Sequence, residues 1–274
     1  MASSLIRIFS DLHYGDRATS LRSLDALLPL MAGAGHIVLN GDTIDTRSGG
    51  SPAVTAALRA EICQFFARLP DTTLLTGNHD PDLTSRHFLE FAGGQVLVTH
   101  GDALFEDLVP WSQDAPRARR LITSELAALP AEARDDLHAH LGAYRRAAAA
   151  LPQRHQSETH GLKYLLSLLR DVAWPPTRVL RVLRAWQEIP ARAERFMQQH
   201  RPKARFLAMG HTHRLGVLRT PSGLVVLNTG SFAPPTSAGV IDLTPDRISL
   251  RPVLKKKSEY LLGSALAEFS LAEI

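Results

Sequence analysis

The sequence predicts an α/β protein: a two-sheet sandwich flanked by helices, with an all-helical insertion in mid chain. Three observations carry this. Five short apolar runs each end in a polar cluster, helical spacing separates the early runs, and the last third reads as strands joined by turns. Near-continuous apolar runs of about five residues suit strands buried on both faces.

The runs, in order, are Leu5-Ile6-Arg7-Ile8-Phe9, His36-Ile37-Val38-Leu39, Thr72-Thr73-Leu74-Leu75-Thr76, Gln95-Val96-Leu97-Val98-Thr99 and Arg205-Phe206-Leu207-Ala208-Met209. Helical segments are expected between the first four. Leu21, Leu24, Leu27 and Leu28 share one helix face, and Ser51-Pro52 opens a second helix through Leu58, Ile62, Phe65, Phe66 and Leu69. Strand–helix alternation implies a parallel sheet with right-handed crossovers. After His213, strands are expected at 215–219, 224–227, 240–243 and 248–254, completing a second sheet. Leu262, Leu266 and Phe269 are spaced as one face of a C-terminal helix over 258–274.

The 274 residues carry 31 Lys plus Arg against 27 Asp plus Glu, and 45% are hydrophobic. Such a composition excludes disorder as the main state, and no apolar run reaches the roughly 18 residues of a membrane span. A disulfide framework is excluded because Cys63 stands alone; near the apolar face of its helix, it reads as a small core residue. The expected location is cytoplasmic. Between Arg117 and Lys203 stand 16 basic and 8 acidic residues, so the middle is basic and the rest of the chain acidic. Prolines divide this stretch into four or five helices. Leu162, Leu165, Leu166 and Leu169 form one helical stripe; Val179, Val182, Leu183 and Trp186 form another, with Arg178, Arg181 and Arg184 on the opposite side.

Ligands bind outside the carboxyl ends of strands in open α/β sheets. There stand Asp11 and His13, Asp42, Asn78-His79-Asp80, His100 with Asp102, and His211 with His213. Imidazoles mixed with carboxylates suit divalent Mn, Fe, Zn or Co. Two adjacent ions need a bridging carboxylate, for which Asp42 after Gly41 is the natural candidate. Asp102 reads instead as a turn cap or a support for the ligands. His36, His87, His138, His140, His155, His160 and His200 fall outside every motif.

Asp11-x-His13, Gly41-Asp42, Gly77-Asn78-His79-Asp80, His100-Gly101-Asp102 and Gly210-His211-Thr212-His213 resemble, block by block, the calcineurin-like metallophosphoesterases. Leu227-Asn228-Thr229-Gly230-Ser231 is similar to that family's turn after the last block. The resemblance covers about 1–102 and 204–253. It implies a dinuclear catalytic core over 1–102 and 204–257 with a helical insertion or cap over 103–203. It also implies two divalent ions, most simply manganese: Asp11, His13, Asp42 and His213 on one, and Asp42, Asn78, His100 and His211 on the other. A hydroxide bridging the ions would attack phosphorus in line. Asn78, His79 and Arg47 would meet the phosphate, and His79 would serve the leaving oxygen with Asp80 orienting its ring.

The insertion's place is similar to that in the UDP-2,3-diacylglucosamine hydrolases, as are His100-Gly101-Asp102-Ala103-Leu104, Asp107 and Asp45. The chain departs from that branch at His79, where arginine is usual, at Phe105, where cysteine is usual, and in its longer insertion. The implied substrate is a bulky phosphoester or pyrophosphate such as a lipid-linked nucleotide sugar, with peripheral membrane contact through the basic helices. A soluble phosphodiesterase acting on nucleotides or small esters is the alternative, and an inactive protein-binding scaffold is the reading of another class. No specific nucleic-acid partner is expected, and the oligomeric state is open.

Overall fold

A computed structural model describes residues 4–48, 51–69, 71–152, 177–257 and 259–271. The first sheet orders its strands β11(Glu259–Leu262), β10(Arg247–Lys256), β9(Gly239–Leu243), β1(Ile6–Phe9), β2(His36–Asn40) and β3(Asp71–Leu75), with β12(Ala267–Ser270) also paired to β10. The second orders β4(Phe88–Phe91), β5(Val96–Thr99), β6(Phe206–Met209), β8(Val225–Asn228) and β7(Gly216–Arg219). Strands β1, β2 and β3 run parallel, as do β5, β6 and β8. The five apolar runs are therefore all strands, divided between two sheets.

Alternation along each strand builds the layers. Ile8, Val38, Leu75, Val96, Val98, Phe206, Ala208 and Leu227 meet between the sheets. Phe9, Ile37 and Leu39 face outward from the first sheet onto Leu24, Leu27 and Leu30 of the turns 24–31 and onto Ile62, Phe65 and Phe66 of helix α2(Pro52–Phe66); α1 is the short turn Leu28–Met31. Arg7, in the middle of β1, is buried against Asp242 at 2.6 Å and donates to the carbonyl of Leu30, so its charge is paired and its donors are used.

Helices α3(Ala115–Ala127), α4(Leu137–Ala149) and α5(Thr177–His200) stand between β5 and β6. Leu137, Leu141, Tyr144, Ile189, Phe196 and Met197 cover Leu97, Leu207, Met209 and Val226, which point outward from the second sheet. The described helices of the insertion thus form an outer layer on that sheet. Deleting 103–203 would strip an apolar sheet face, each large side chain of which gains about 1.5–3 kcal/mol from burial.

Four expectations are corrected. The C-terminal segment is strand, not helix: Gly263-Ser264-Ala265 interrupts the apolar spacing, and β11 and β12 pair with successive halves of β10. The connection between β3 and β5 contains β4 in place of a helix. Cys63 is exposed on α2. In α5 the covered face is Ala185, Ile189, Ala193, Phe196 and Met197, whereas Val179 and Leu183 are exposed and Arg178 is buried. The Leu162–Leu169 stripe lies outside the described residues.

Two histidines, His140 within the insertion and His87 stacked against its His138, make an acid-sensitive layer. Burial, with Arg145 nearby, lowers His87 to about 4, and burial beside His200 does the same to His140. Unfolded histidine takes up protons below about pH 6.5. The folded chain resists until near pH 4, so stability is full above about 6.5 and is lost as pH falls toward 4. Thermal unfolding of the metal-free chain should therefore show a falling midpoint across that window. His140→Phe, which keeps the ring contacts to Tyr144, Phe196 and His200, should flatten the fall; an unchanged slope would contradict this.

Candidate metal centre

All the polar clusters lie at the carboxyl ends of parallel strands, and the sandwich brings those ends together. Asp11 and His13 follow β1, Asp42 follows β2, Asn78, His79 and Asp80 follow β3, His100 follows β5, and His211 and His213 follow β6. The loops interlock through their backbones. The N–H of Asp11 donates to the carbonyl of Gly41 at 3.1 Å, that of His13 to the carbonyl of Asp42 at 3.0 Å, and that of Gly210 to the carbonyl of His100 at 3.0 Å.

Five of these residues hold left-handed backbone despite carrying a Cβ: Asp11, His13, Asp42, His211 and His213, with φ between 46° and 64°. Each such residue costs on the order of 1–3 kcal/mol and persists only where its surroundings over-determine it. Gly77 and Gly210 explain how the loops come so close. A Cβ on Gly77 would overlap the Asp42 carboxylate, and one on Gly210 would overlap Ser10 and Asp11. Gly77→Ala should therefore cost metal uptake without altering any donor, which the metal content of the purified variant would test; full occupancy would contradict the packing argument.

Two adjoining pockets result. In the first, Nε2 of His213 lies 3.2 Å from Oδ1 of Asp11 and 3.2 Å from Nε2 of His13. In the second, Oδ1 of Asn78 lies 2.9 Å from Nδ1 of His211 and 3.2 Å from Nε2 of His100, and that Nε2 is 3.2 Å from Oδ2 of Asp42. Oδ2 of Asp42 is also 3.9 Å from Nε2 of His13, so this one carboxylate faces both pockets. Asp11, Asp42, Asn78, His100 and His211 are buried, and His213 is a third exposed at the mouth. Buried carboxylates converging with imidazole nitrogens make a donor set that fits two divalent cations of the Mn, Fe, Zn or Co type.

Ring tautomers are set from behind. Nδ1–H of His100 donates to the carbonyl of Asn40 at 3.0 Å, turning Nε2 to the pocket. Nε2–H of His211 donates to the carbonyl of Leu108 at 2.9 Å, turning Nδ1 inward. Burial together with the His100 charge lowers His211 to about 4; burial together with His79 does the same to His13. Both are neutral, as a metal ligand must be, whereas in the metal-free chain burial is outweighed by Asp42 and His100 is raised to about 10, so an ion bound there would displace its Nε2 proton. Burial opposes ionisation of Asp42, but the surrounding histidines, His100 foremost, hold it well below the usual carboxylate range.

His79 sits beside the pockets, its ring 4.9 Å from that of His13. Its Nδ1 is 2.6 Å from Oδ2 of Asp45, and its backbone N–H donates to Oδ1 of Asp42 at 2.8 Å. Burial and Arg47 push the ring's pKa down; Asp42 and Asp45 outweigh them and raise it. Asp80 does not orient this ring. Its carboxylate accepts backbone N–H groups from Asp42 at 3.0 Å, Thr43 at 2.7 Å and Gly77 at 2.6 Å, and so ties the β2 loop to the β3 loop. Burial and repulsion from Asp42 raise Asp80 to about 6, against the bonds from Gly77 and Thr43. Arg47 reaches the site through Nη2, 3.1 Å from Asp45 and 2.8 Å from Nδ1 of His79.

Sequence reasoning did not find three supports. The carbonyl of Leu108 is one. The indole N–H of Trp186, which donates to the carbonyl of Thr212 at 2.9 Å, is another. The third is Arg145, paired with Asp102 in the core. Asn228, the last residue of β8, donates to the carbonyl of Gly210 at 2.9 Å.

No curated protein sequence matches the chain. Solved structures similar to it over nearly their whole lengths include vacuolar protein sorting 29 from Cryptosporidium parvum, at 14% identity and a TM-score of 0.46, covering 97% of both chains. A dimetal phosphatase from Danio rerio shows 16% identity and a TM-score of 0.41, covering 94% of this chain and 98% of that one. A conserved uncharacterized protein from Streptococcus pneumoniae, described as a predicted phosphoesterase, shows 14% identity and a TM-score of 0.40, covering 98% and 99%. The sequence profile of the calcineurin-like phosphoesterases matches residues 5–215, well over half of the chain. With that match over the five loop blocks and the sandwich that gathers them, the chain belongs to the calcineurin-like phosphoesterase family.

Proposed function

We propose that the chain is a dinuclear metal-dependent hydrolase of phosphoester or pyrophosphate bonds. The observation that carries this reading is the complete donor set in two pockets joined by Asp42, with His79 beside them. Asp11, His13, Asp42 and His213 would hold one ion; Asp42, Asn78, His100 and His211 would hold the other. Ions bound there, manganese first among the candidates, supply Lewis-acid activation of water and charge neutralisation on the phosphoryl oxygens.

The chain's own residues then do the rest. His79, with Nδ1 anchored on Asp45 and its pKa raised, keeps a proton on Nε2 for the departing oxygen. Asn78 and His79 meet the phosphate. Arg47 is engaged with Asp45 and His79 and acts on the phosphate alongside that pair. Asp80 fixes the loop geometry through backbone N–H groups.

The finer reading concerns the substrate. The first turns of α5 expose Val179, Leu180 and Leu183 next to the exposed Arg181 and Arg184. Apolar and cationic side chains on one helix end favour an anionic lipid surface. This supports a lipid-linked substrate such as UDP-2,3-diacylglucosamine, met at the inner face of the membrane by a cytoplasmic enzyme. Among the described residues no helix is long and apolar enough to cross a membrane. Phosphorus NMR on the manganese-loaded enzyme, given the acylated nucleotide sugar and a soluble phosphodiester in parallel, tests it. Preference for the soluble ester would leave the metal chemistry and remove the lipid. Leu180→Asp with Leu183→Asp should weaken sedimentation with phosphatidylglycerol vesicles by at least about tenfold, since each buried leucine contributes about 1.5–3 kcal/mol; unchanged binding would contradict the membrane contact.

A further inference from the structure

The segment that follows β5 controls the second pocket from two sides. It begins with His100 itself. It continues through Gly101 (φ 104°) and the 3₁₀ turn Asp102–Leu104 to Leu108 (φ 58°), whose carbonyl receives Nε2–H of His211 at 2.9 Å. Phe105 and Trp111 pack against the His211 ring, with centroids 5.7 and 6.0 Å away. One stretch of about ten residues thus supplies one donor and fixes the tautomer and tilt of another.

Helices α4 and α5 hold that stretch in place. Arg145 of α4 pairs with the carboxylate of Asp102, both side chains being at most 4% exposed. Arg192 of α5 donates to the carbonyl of Leu104 at 3.3 Å and lies 5.2 Å over the Phe105 ring. Arg192 is itself held by Glu188 at 2.8 Å. The first pocket leans on different supports: backbone bonds to Gly41 and Asp42, and Trp186 at Thr212.

The buried pair is poorly explained by stability. Nε and Nη1 of Arg145 and Oδ2 of Asp102 have no hydrogen-bond partner. An under-satisfied buried ion pair contributes less than well-packed apolar residues would. What it does supply is a fixed attachment between α4 and a residue two positions after His100. Groups that orient metal ligands typically change affinity by about 10–100-fold when removed.

We propose that Arg145 and Arg192 are positioning residues through which the helical insertion retains the metal ion of the Asn78–His100–His211 pocket. This rests on the metal-centre reading above. In this account, the insertion's contribution to the enzyme includes asymmetry between the two sites. The ion at the Asp11–His13–His213 pocket meets α5 through Trp186 at Thr212, and its neighbour depends on Arg145 of α4 and Arg192 of α5 as well.

The test is equilibrium dialysis of Mn²⁺ against the metal-free full-length chain, with EPR to distinguish a spin-coupled pair from an isolated ion. Wild type is expected to bind a coupled pair. Arg192→Met, a partly exposed position, should bind one ion as wild type does and the other about 10–100-fold more weakly, giving an isolated-ion spectrum at limiting manganese. Arg145→Met alone would strand the Asp102 carboxylate, so the charge-neutral Asp102→Asn/Arg145→Met double variant is used beside it, with the same result expected. Wild-type binding of both ions in Arg192→Met and in the double variant would overturn the proposal. Equal weakening of both ions would also overturn it, because that is the mark of general destabilisation. A wild-type chain that fails to bind a pair would instead remove the metal-centre reading on which the proposal stands.

Discussion

Asp42→Asn is expected to abolish turnover and to leave the chain unable to hold a metal pair. Asp42 is buried, with Oδ2 3.2 Å from Nε2 of His100 and 3.9 Å from Nε2 of His13, while Oδ1 receives the backbone N–H of His79. Asparagine keeps the shape and one acceptor but removes the charge that both pockets share. Several kcal/mol of charge stabilisation at the phosphoryl group would be lost, so the rate should fall on the order of 10³-fold or more. Metal analysis and phosphodiester turnover on the same preparation check this. Retained metal content with retained activity would mean that Asp42 joins nothing.

His79→Gln should behave differently. Metal content should stay at the wild-type level, because no other donor moves, while kcat falls about 10²–10⁴-fold, the usual contribution of a placed proton donor. Asp45→Asn should cost less and shift the pH profile. Burial and Arg47 lower the His79 pKa, and Asp42 and Asp45 together raise it above its ordinary value. If the protonated ring is the active form, activity declines as pH rises through that pKa. Removing the Asp45 charge lowers the pKa, so the alkaline limb should move to lower pH. A limb that stays in place or moves up would assign the alkaline limb to another group.

The side chains gathered at the site were legible in the sequence because each follows an apolar run, and strand ends are where an α/β fold gathers polar side chains. All five runs are strands, although they divide between two sheets. Periodicity cannot reveal that division, since it registers burial on two faces and not which neighbour covers them. The C-terminal strands were misread for a related reason. Leu262, Leu266 and Phe269 are spaced for a helix, yet the pairing with β10 that makes β11 and β12 strands is a tertiary fact. In α5, apolar spacing picked out Val179, Val182, Leu183 and Trp186 as a stripe without saying what covers it, and the face the structure covers is Ala185, Ile189 and Ala193. Small residues let that helix approach the sheet closely, and hydrophobicity ranks them below the leucines it leaves exposed. The partner of His79 was placed one residue away in sequence, at Asp80; in space it is Asp45, carried there by the β2 loop.

The most direct test is a titration of the metal-free chain with Mn²⁺ while the hydrolysis of a soluble phosphodiester is followed. The account predicts that activity climbs with bound metal and levels off only when both pockets are filled, and that Asp42→Asn shows neither uptake nor turnover. A chain that fills both pockets yet cleaves neither phosphoesters nor pyrophosphates would contradict it, and the centre would then be a structural element of a binding scaffold.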